Sequence, residues 1–132
     1  MALTALSLAM CRTESGPARA ARLFYTTLAR APLEATVMTG LVLPGSGTEE
    51  MVASFGSLEA WAGRVTKNGI MWRAEVVNER VENGWARLEL VVLFNDGTRR
   101  RDKLGLVRVG NRWLVDMSSA VGFPRPTPPP PS

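Results

Sequence analysis

Asp102 is the residue in this sequence that comes nearest to a catalytic group. The strand register derived below places Asp102 on the apolar side of a sheet, opposite Leu90. Asn78 and Arg100 lie on the same side in that register. A carboxylate held in apolar surroundings can act as a general base. The simpler interpretation is an ion pair with neighbouring arginines, because one acid without an orienting partner is a weak catalytic signal.

The sequence contains few residues of the types needed for other catalytic or metal-binding sites. The chain of 132 residues contains no histidine, which removes the commonest general base and metal ligand. Its single cysteine, Cys11, allows neither an intramolecular disulfide nor a zinc site of the Cys/His type. No acidic loop has the spacing of a calcium site. We therefore expect no metal and no cofactor.

The charge of the chain is mildly basic. A net charge of +4 and a pI near 10.2 favour anionic surfaces without selecting one. The densest basic run covers 99–103, and no row of aromatic residues alternates with it to stack on bases. We expect these residues to be solvated and to protect the strand against edge pairing. We expect no nucleic-acid binding.

Residues 1–16 can be interpreted either as an N-terminal extension or as a signal-like segment. The apolar run 1–10 ends at Cys11, like the tail of a bacterial lipoprotein signal. However, no basic residue precedes the run, and Met10 is larger than the residue usual before a lipidated cysteine. If Cys11 is lipidated, we expect an exported, membrane-associated bacterial protein; if it is an ordinary thiol, we expect a cytoplasmic one.

Helices are predicted in the first half of the chain and strands in the second. Apolar residues at helical spacing predict helices over 17–30 and 33–43 and two shorter helices before 69, the last capped by Ser57. The period then changes to two, with glycine turns between the runs. The predicted strands cover 70–81, 85–94, 98–109 and 112–117.

The predicted register keeps carboxylates off the apolar face of the sheet. A three-residue loop over 82–84 pairs Val76 with Leu90. A two-residue loop would instead turn Glu75 and Glu79 inward. An unpaired buried carboxylate costs several kcal/mol, so we predict the longer loop.

The same test predicts a three-residue loop at 95–97 and a two-residue loop at 110–111. One continuous concave apolar face results, on which Trp72 pairs with Phe94. This face is either a filled core or the wall of a ligand pocket, since an apolar lining serves both. The predicted pocket wall comprises Trp72, Leu88, Leu90, Leu104 and Trp113.

The opposite, outer face carries apolar residues that predict an interface. Trp85, Val91 and Leu93 point outward in this register. Exposed apolar groups clustered on a sheet can mark a contact surface, so we predict a homodimer through the outer face. The Pro-rich tail, 120–132, is predicted to be extended, either as a solvated tail or as a docking peptide.

Three short motifs carry a resemblance to a known group of proteins. They are a turn and alternating strand at 84–90, a hairpin turn at 95–98 and a strand pair with Gly110 and Trp113 at 106–115. Together with helices that precede strands, they resemble the nuclear transport factor two-like superfamily. The resemblance covers about 17–117 and is closest to small bacterial lipoprotein-like proteins of unknown function.

The resemblance implies a single cone-shaped α+β domain over 17–119, with N-terminal helices packed on a curved four-stranded antiparallel meander. Some members are isomerases, dehydratases or hydrolases with Asp, His or Tyr in the cone, whereas others bind partners across the sheet. The lack of histidine, with Tyr25 as the single tyrosine, departs from the enzymatic members. We therefore predict a non-catalytic binding domain for a small apolar ligand or a protein partner. The alternatives are a small isomerase- or dehydratase-like enzyme with Asp102 in the cone and a membrane-anchored envelope protein.

Overall fold

The computed structural model describes residues 14–30 and 33–123. The predictions for Cys11 and for the Pro-rich run that begins at Pro124 lie outside these residues. None of the helices in the described ranges has the length and apolar character needed to span a membrane.

Four helices precede the sheet in the described chain. They are α1 (Gly16–Ala29), α2 (Ala35–Thr39), α3 (Thr48–Phe55) and α4 (Leu58–Val65). Ser15 Oγ accepts a hydrogen bond from the Ala18 N–H at 3.1 Å and so caps α1. Pro17 lies in the first turn of α1, where its missing N–H costs nothing. Ser57 caps α4 through the Ala60 N–H, which confirms the predicted cap.

The second helix is shorter than the predicted 33–43 and ends at Thr39. Beyond it, the chain extends along the last strand of the sheet. The Leu43 N–H donates to the Val115 carbonyl at 2.8 Å, and the Val115 N–H donates to the Leu41 carbonyl at 2.9 Å. These bonds satisfy backbone groups at one edge of the sheet, which a longer helix would leave unpaired.

The second half of the chain is a four-stranded antiparallel meander, which confirms the predicted α+β class. Its strands are β1 (Met71–Glu82), β2 (Trp85–Phe94), β3 (Arg99–Val109) and β4 (Arg112–Val121), in the spatial order β1-β2-β3-β4. The second hairpin pairs Leu88 with Leu104, and the third pairs Leu106 with Val115, as predicted.

The first hairpin differs from the prediction in its loop. The loop has two residues instead of three, since Glu82 pairs with Trp85. Val76 nevertheless pairs with Leu90, because a β-bulge at Val77 inserts an extra residue into β1. Without a bulge in β1, only a three-residue loop would pair Val76 with Leu90; with the bulge, a two-residue loop gives the same pair.

The bulge at Val77 also exchanges the inward-facing and outward-facing positions in the remainder of β1. Asn78 pairs with Glu89 on the outer face, so the prediction that Asn78 shares a face with Asp102 is wrong. Glu79 returns to the inner side of the strand but remains exposed to solvent. Its carboxylate therefore escapes the burial on which the predicted loop length was based.

Trp72 lies at a second irregularity in β1. Met71, rather than Trp72, pairs with Phe94 and is buried. Trp72 is 50% exposed, and the Arg73 guanidinium lies 4.1 Å from the centroid of its ring. The prediction that Trp72 belongs to the concave apolar face is therefore wrong, and Met71 takes its place.

The last strand continues past its predicted end at Met117. The ladder is interrupted after Asp116, whose Oδ1 accepts a hydrogen bond from a backbone N–H two residues further on. The strand then resumes and runs to Val121. This extension brings Phe123 against the ring of Tyr25, with ring centroids 5.7 Å apart.

The core lies between the inner face of the sheet and the helices. Helix α1 contacts both edge strands, β1 and β4, and so lies across the sheet. The largest buried side chains are Phe24, Tyr25, Trp61, Leu90, Leu104, Leu106 and Met117. The inner face of the sheet is therefore covered by side chains of the chain itself.

Candidate functional site

Asp102 has no exposed surface, and both of its carboxylate oxygens accept hydrogen bonds. Arg100 Nε donates to Oδ1 at 2.8 Å and Arg100 Nη2 donates to Oδ2 at 3.0 Å. The Tyr25 hydroxyl donates to Oδ2 at 2.5 Å. Bidentate guanidinium–carboxylate pairs are among the strongest hydrogen-bonded contacts in proteins. The predicted ion pair is confirmed, and its carboxylate lies inside the core.

Two elements supply these three residues, which form the Asp102 cluster (Tyr25, Arg100 and Asp102). Arg100 and Asp102 are two residues apart on β3 and therefore share its inner face. Tyr25 comes from the buried side of α1. Arg100 Nη1 also donates to the carbonyl of Val65 at 2.8 Å, which satisfies a backbone acceptor at the end of α4. One guanidinium thus links the sheet to the helices.

The end of the described chain covers the Asp102 cluster. Phe123 stacks on Tyr25, and the Arg100 guanidinium lies 5.8 Å from the centroid of the Phe123 ring. The backbone of Gly122 passes so close that a Cβ there would lie 2.5 Å from Asp102 Oδ1. These contacts leave the carboxylate without exposed surface, and its two oxygens accept three hydrogen bonds. The geometry gives Asp102 a structural role and offers no open position for a substrate.

The residues of the predicted pocket wall lie in different environments in the structure. Three of its members lie in the core with exposed fractions of 2% or less: Leu88, Leu90 and Leu104. Trp113 is half-buried against the core, and a Cβ on Gly16 would lie 2.8 Å from its indole. Trp72 lies outside, as described above. The interpretation of the concave face as a core is the one that this packing supports.

A cavity of about 420 Å³, the helix cavity, lies between α2, the segment that follows it and α3. Its apolar lining includes Met38, Val42, Leu43, Pro44, Val52 and Leu58. Thr48, Glu49 and Glu50 also line it, from the first turn of α3. The sequence prediction missed this cavity. The run Pro44-Gly45-Ser46-Gly47 marked a loop, but a loop signal does not show which side chains the loop holds apart.

A second cavity of about 360 Å³, the outer groove, lies on the outer face of the sheet. Its lining combines charged, polar and apolar residues. The predicted interface residues lie on the same face and are half-buried: Trp85, Val91 and Leu93. Val91 pairs with Glu75 and Leu93 pairs with Arg73, so charges flank the apolar positions. The homodimer stays a prediction.

Comparisons with known proteins identify no relative. No family model matches the chain, and neither a curated protein nor a solved structure matches it. The fold therefore defines the class of the protein as an α+β domain with an antiparallel meander. The resemblance to the nuclear transport factor two-like superfamily, including the cone shape, stays a prediction. No cluster of three or more potential metal-ligating residues lies in the described ranges.

Asp102→Asn tests whether the buried ion pair holds the fold together. The substitution leaves Arg100 without a charged partner, and breaking a buried pair costs about 3–5 kcal/mol. We expect about 3 kcal/mol in the free energy of unfolding, near the low end, because 19% of the Arg100 side chain is still exposed. Glu79→Gln is the control, since Glu79 is exposed and makes no ion pair with a described residue. Its effect should stay within about 0.5 kcal/mol, and equal losses in both variants would contradict the assignment.

Gly122→Ala tests the close approach of the chain end to Asp102. Gly122 and Gly97 have φ values of +97° and +87°, so alanine is strained at both by about 1 kcal/mol. A Cβ at Gly97 meets nothing within 4 Å, whereas at Gly122 it collides with Asp102 and with the Arg101 carbonyl. We expect Gly122→Ala to lower the free energy of unfolding by about 1–3 kcal/mol more than Gly97→Ala. Equal effects in denaturant unfolding would show that the chain end does not pack on Asp102.

Tyr25 gives the cluster a defined pH dependence. Burial raises the pKa of the Tyr25 phenol well above its usual 10.0, and the Asp102 carboxylate raises that pKa further. Because the folded pKa exceeds the unfolded one, the stabilising contribution is complete below pH 10.0 and is lost as the pH rises toward the folded pKa. We expect the free energy of unfolding to fall by about 1.4 kcal/mol per pH unit in that range from this residue.

Tyr25→Phe is the matched variant for this pH dependence, because the chain has a single tyrosine. Denaturant unfolding of both proteins at neutral and alkaline pH measures the two slopes. The variant should lose the part of the alkaline slope that belongs to the phenol. The same slope in both proteins would mean that Tyr25 titrates normally in the folded state.

Proposed function

We propose that this protein is a non-catalytic binding domain for a small apolar ligand, which it binds in the helix cavity. The observation that carries this proposal is an apolar-lined space of about 420 Å³ in a molecule whose concave sheet face is filled. Sites for small ligands typically have about 300–1,000 Å³ and a mostly apolar lining with a few polar groups. The helix cavity fits that description in both volume and lining.

One wall of the helix cavity is held firmly by the sheet. Val42 and Leu43 belong to the segment that is hydrogen-bonded to Val115 of β4. Met38 and Val42 are themselves buried and anchor this wall to the core. A preformed wall lowers the entropic cost of ligand binding.

The other wall, α3, is attached less firmly. It begins after Gly47 and ends before Gly56, and both glycines adopt left-handed backbone conformations. Met51 is the one residue of α3 that is buried. A short helix with glycines at both ends and few buried side chains can shift as a unit to admit a ligand.

The polar part of the lining restricts the chemistry of the ligand. Glu49 and Glu50 lie in the first turn of α3, where the helix dipole favours negative charge. Neither forms an ion pair with a residue in the described ranges. An apolar ligand that carries a hydrogen-bond donor or a positive charge at one end matches this lining.

The two alternatives from the sequence receive no comparable support. An enzyme with Asp102 as its base needs a carboxylate that faces a substrate, and the oxygens of Asp102 face Arg100 and Tyr25. The envelope-protein hypothesis depends on Cys11, which lies outside the described residues. Both stay predictions from the sequence.

Binding of the neutral apolar dye Nile red tests the proposal. The native protein should bind the dye with blue-shifted emission, because the dye leaves water on entering the cavity. Val52→Trp fills the cavity and should weaken dye binding by about tenfold or more, since it removes the space that the ligand occupies. Ser54→Trp, on an exposed position of the same helix, is the control and should leave binding unchanged.

Circular dichroism and denaturant unfolding show that both variants remain folded before the dye titrations are compared. Dye binding that survives Val52→Trp would place the ligand elsewhere. A native protein that binds no dye would also contradict the proposal.

A further inference from the structure

The outer groove has more charged residues in its lining than the helix cavity. It lies on the outer face of β1, β2 and β3 and reaches the end of β4. Its volume of about 360 Å³ is within the range of a site for a small group or a side chain. The charged residues that line it are Arg80, Arg87, Glu89 and Lys103.

Two of these cations are placed directly opposite each other. Arg80 on β1 pairs with Arg87 on β2 in the strand register, and both point to the outer face. Like charges in that arrangement destabilise a sheet by a few tenths of a kcal/mol or more. Trp85 offsets part of this cost, since its ring centroid lies 5.8 Å from the Arg80 guanidinium and 5.7 Å from that of Arg87. The indole thus keeps the two guanidiniums close together.

The acids near the groove leave part of this positive charge unneutralised. Arg80 is paired with Glu82 at 2.7 Å, but Arg87 forms no ion pair with any residue in the described ranges. The Glu89 carboxylate is shared between Arg101 and Lys103, each at 3.9 Å. Arg87 is therefore the cation of the groove that forms no ion pair with a described residue.

The strand next to Arg87 contributes a glycine to the groove. Gly105 on β3 pairs with Arg87 and has no side chain on the outer face. The Ser119 side chain lies against the glycine backbone, where a Cβ would collide with it. A hydroxyl group from β4 therefore lies beside Arg87 in the lining of the groove.

We propose that the outer groove binds an acidic segment of a protein partner, with a carboxylate side chain held between Arg80 and Arg87. A guanidinium matches a carboxylate in a planar, bidentate geometry. A bound carboxylate also replaces the repulsion between the two arginines by attraction to a common anion. Arginine and tryptophan are the residue types that most often dominate the energy of protein interfaces.

Features of the same groove argue against other occupants. The guanidiniums at the Trp85 ring compete with nucleic-acid bases for stacking. A symmetric dimer through this groove would bring the Arg80–Arg87 pair toward the same basic surface of the second copy. An acidic peptide segment needs no stacking surface and brings no basic surface to the groove.

Fluorescence anisotropy with a labelled oligoglutamate peptide tests this proposal on the full chain. We expect binding that weakens with rising salt, as for any charge-dominated contact. Arg87→Gln should weaken it by about tenfold, because the free guanidinium supplies the central contact. Arg99→Gln removes the same charge from an exposed position of the outer face that does not line the groove, and should weaken binding by less than about twofold.

Three results would overturn the proposal. They are no binding of the oligoglutamate, equal losses in Arg87→Gln and Arg99→Gln, and tighter binding of an oligothymidylate of the same charge. The second would indicate attraction to net charge alone, and the third would indicate a nucleic-acid surface. All of these results are independent of dye binding in the helix cavity, so the two proposals can fail separately.

Discussion

The burial of one carboxylate constrains much of this fold. Asp102 has no contact with solvent, and a buried charge is tolerated only when it is paired and fully hydrogen-bonded. Its donors come from β3 and α1, and the same arginine also binds the end of α4. Gly122 and Phe123 then close over the group. The placement of two helices and of Gly122 and Phe123 is therefore coupled to the hydrogen bonding of a single side chain.

The sequence predicts those parts of the structure that depend on local periodicity and turn chemistry. Alternating residues and glycine turns predict the four strands, and the register test places Leu90 opposite Asp102. The bulge in β1 is not predictable from the pattern, because Val76 and Val77 are both apolar and give no sign of it. The contact between Asp102 and Tyr25 is also not predictable from local patterns. Tyr25 lies 77 residues away, on a helix whose docking angle no local pattern defines.

The candidate sites could not be predicted, for a different physical reason. An apolar lining has the same composition whether helices fill the space above it or leave it open, so Leu88 and Leu104 served both interpretations. The helix cavity arises because residues 41–43 leave helical geometry to pair with β4, which separates them from α3. This is a tertiary preference that overrides the helical pattern of the segment.

The basic run 99–103 shows how period-two alternation divides one charged segment between two tasks. Arg100 and Asp102 point inward and neutralise each other in the core, whereas Arg99, Arg101 and Lys103 point outward. The inward pair adds no net charge to the surface, so the outer face keeps the cations without the acid that lies between them in sequence. Glu89 must then serve both Arg101 and Lys103 at 3.9 Å, which leaves the outer face basic. The burial of Asp102 that organises the core therefore also produces the positive surface on which an acidic partner can bind.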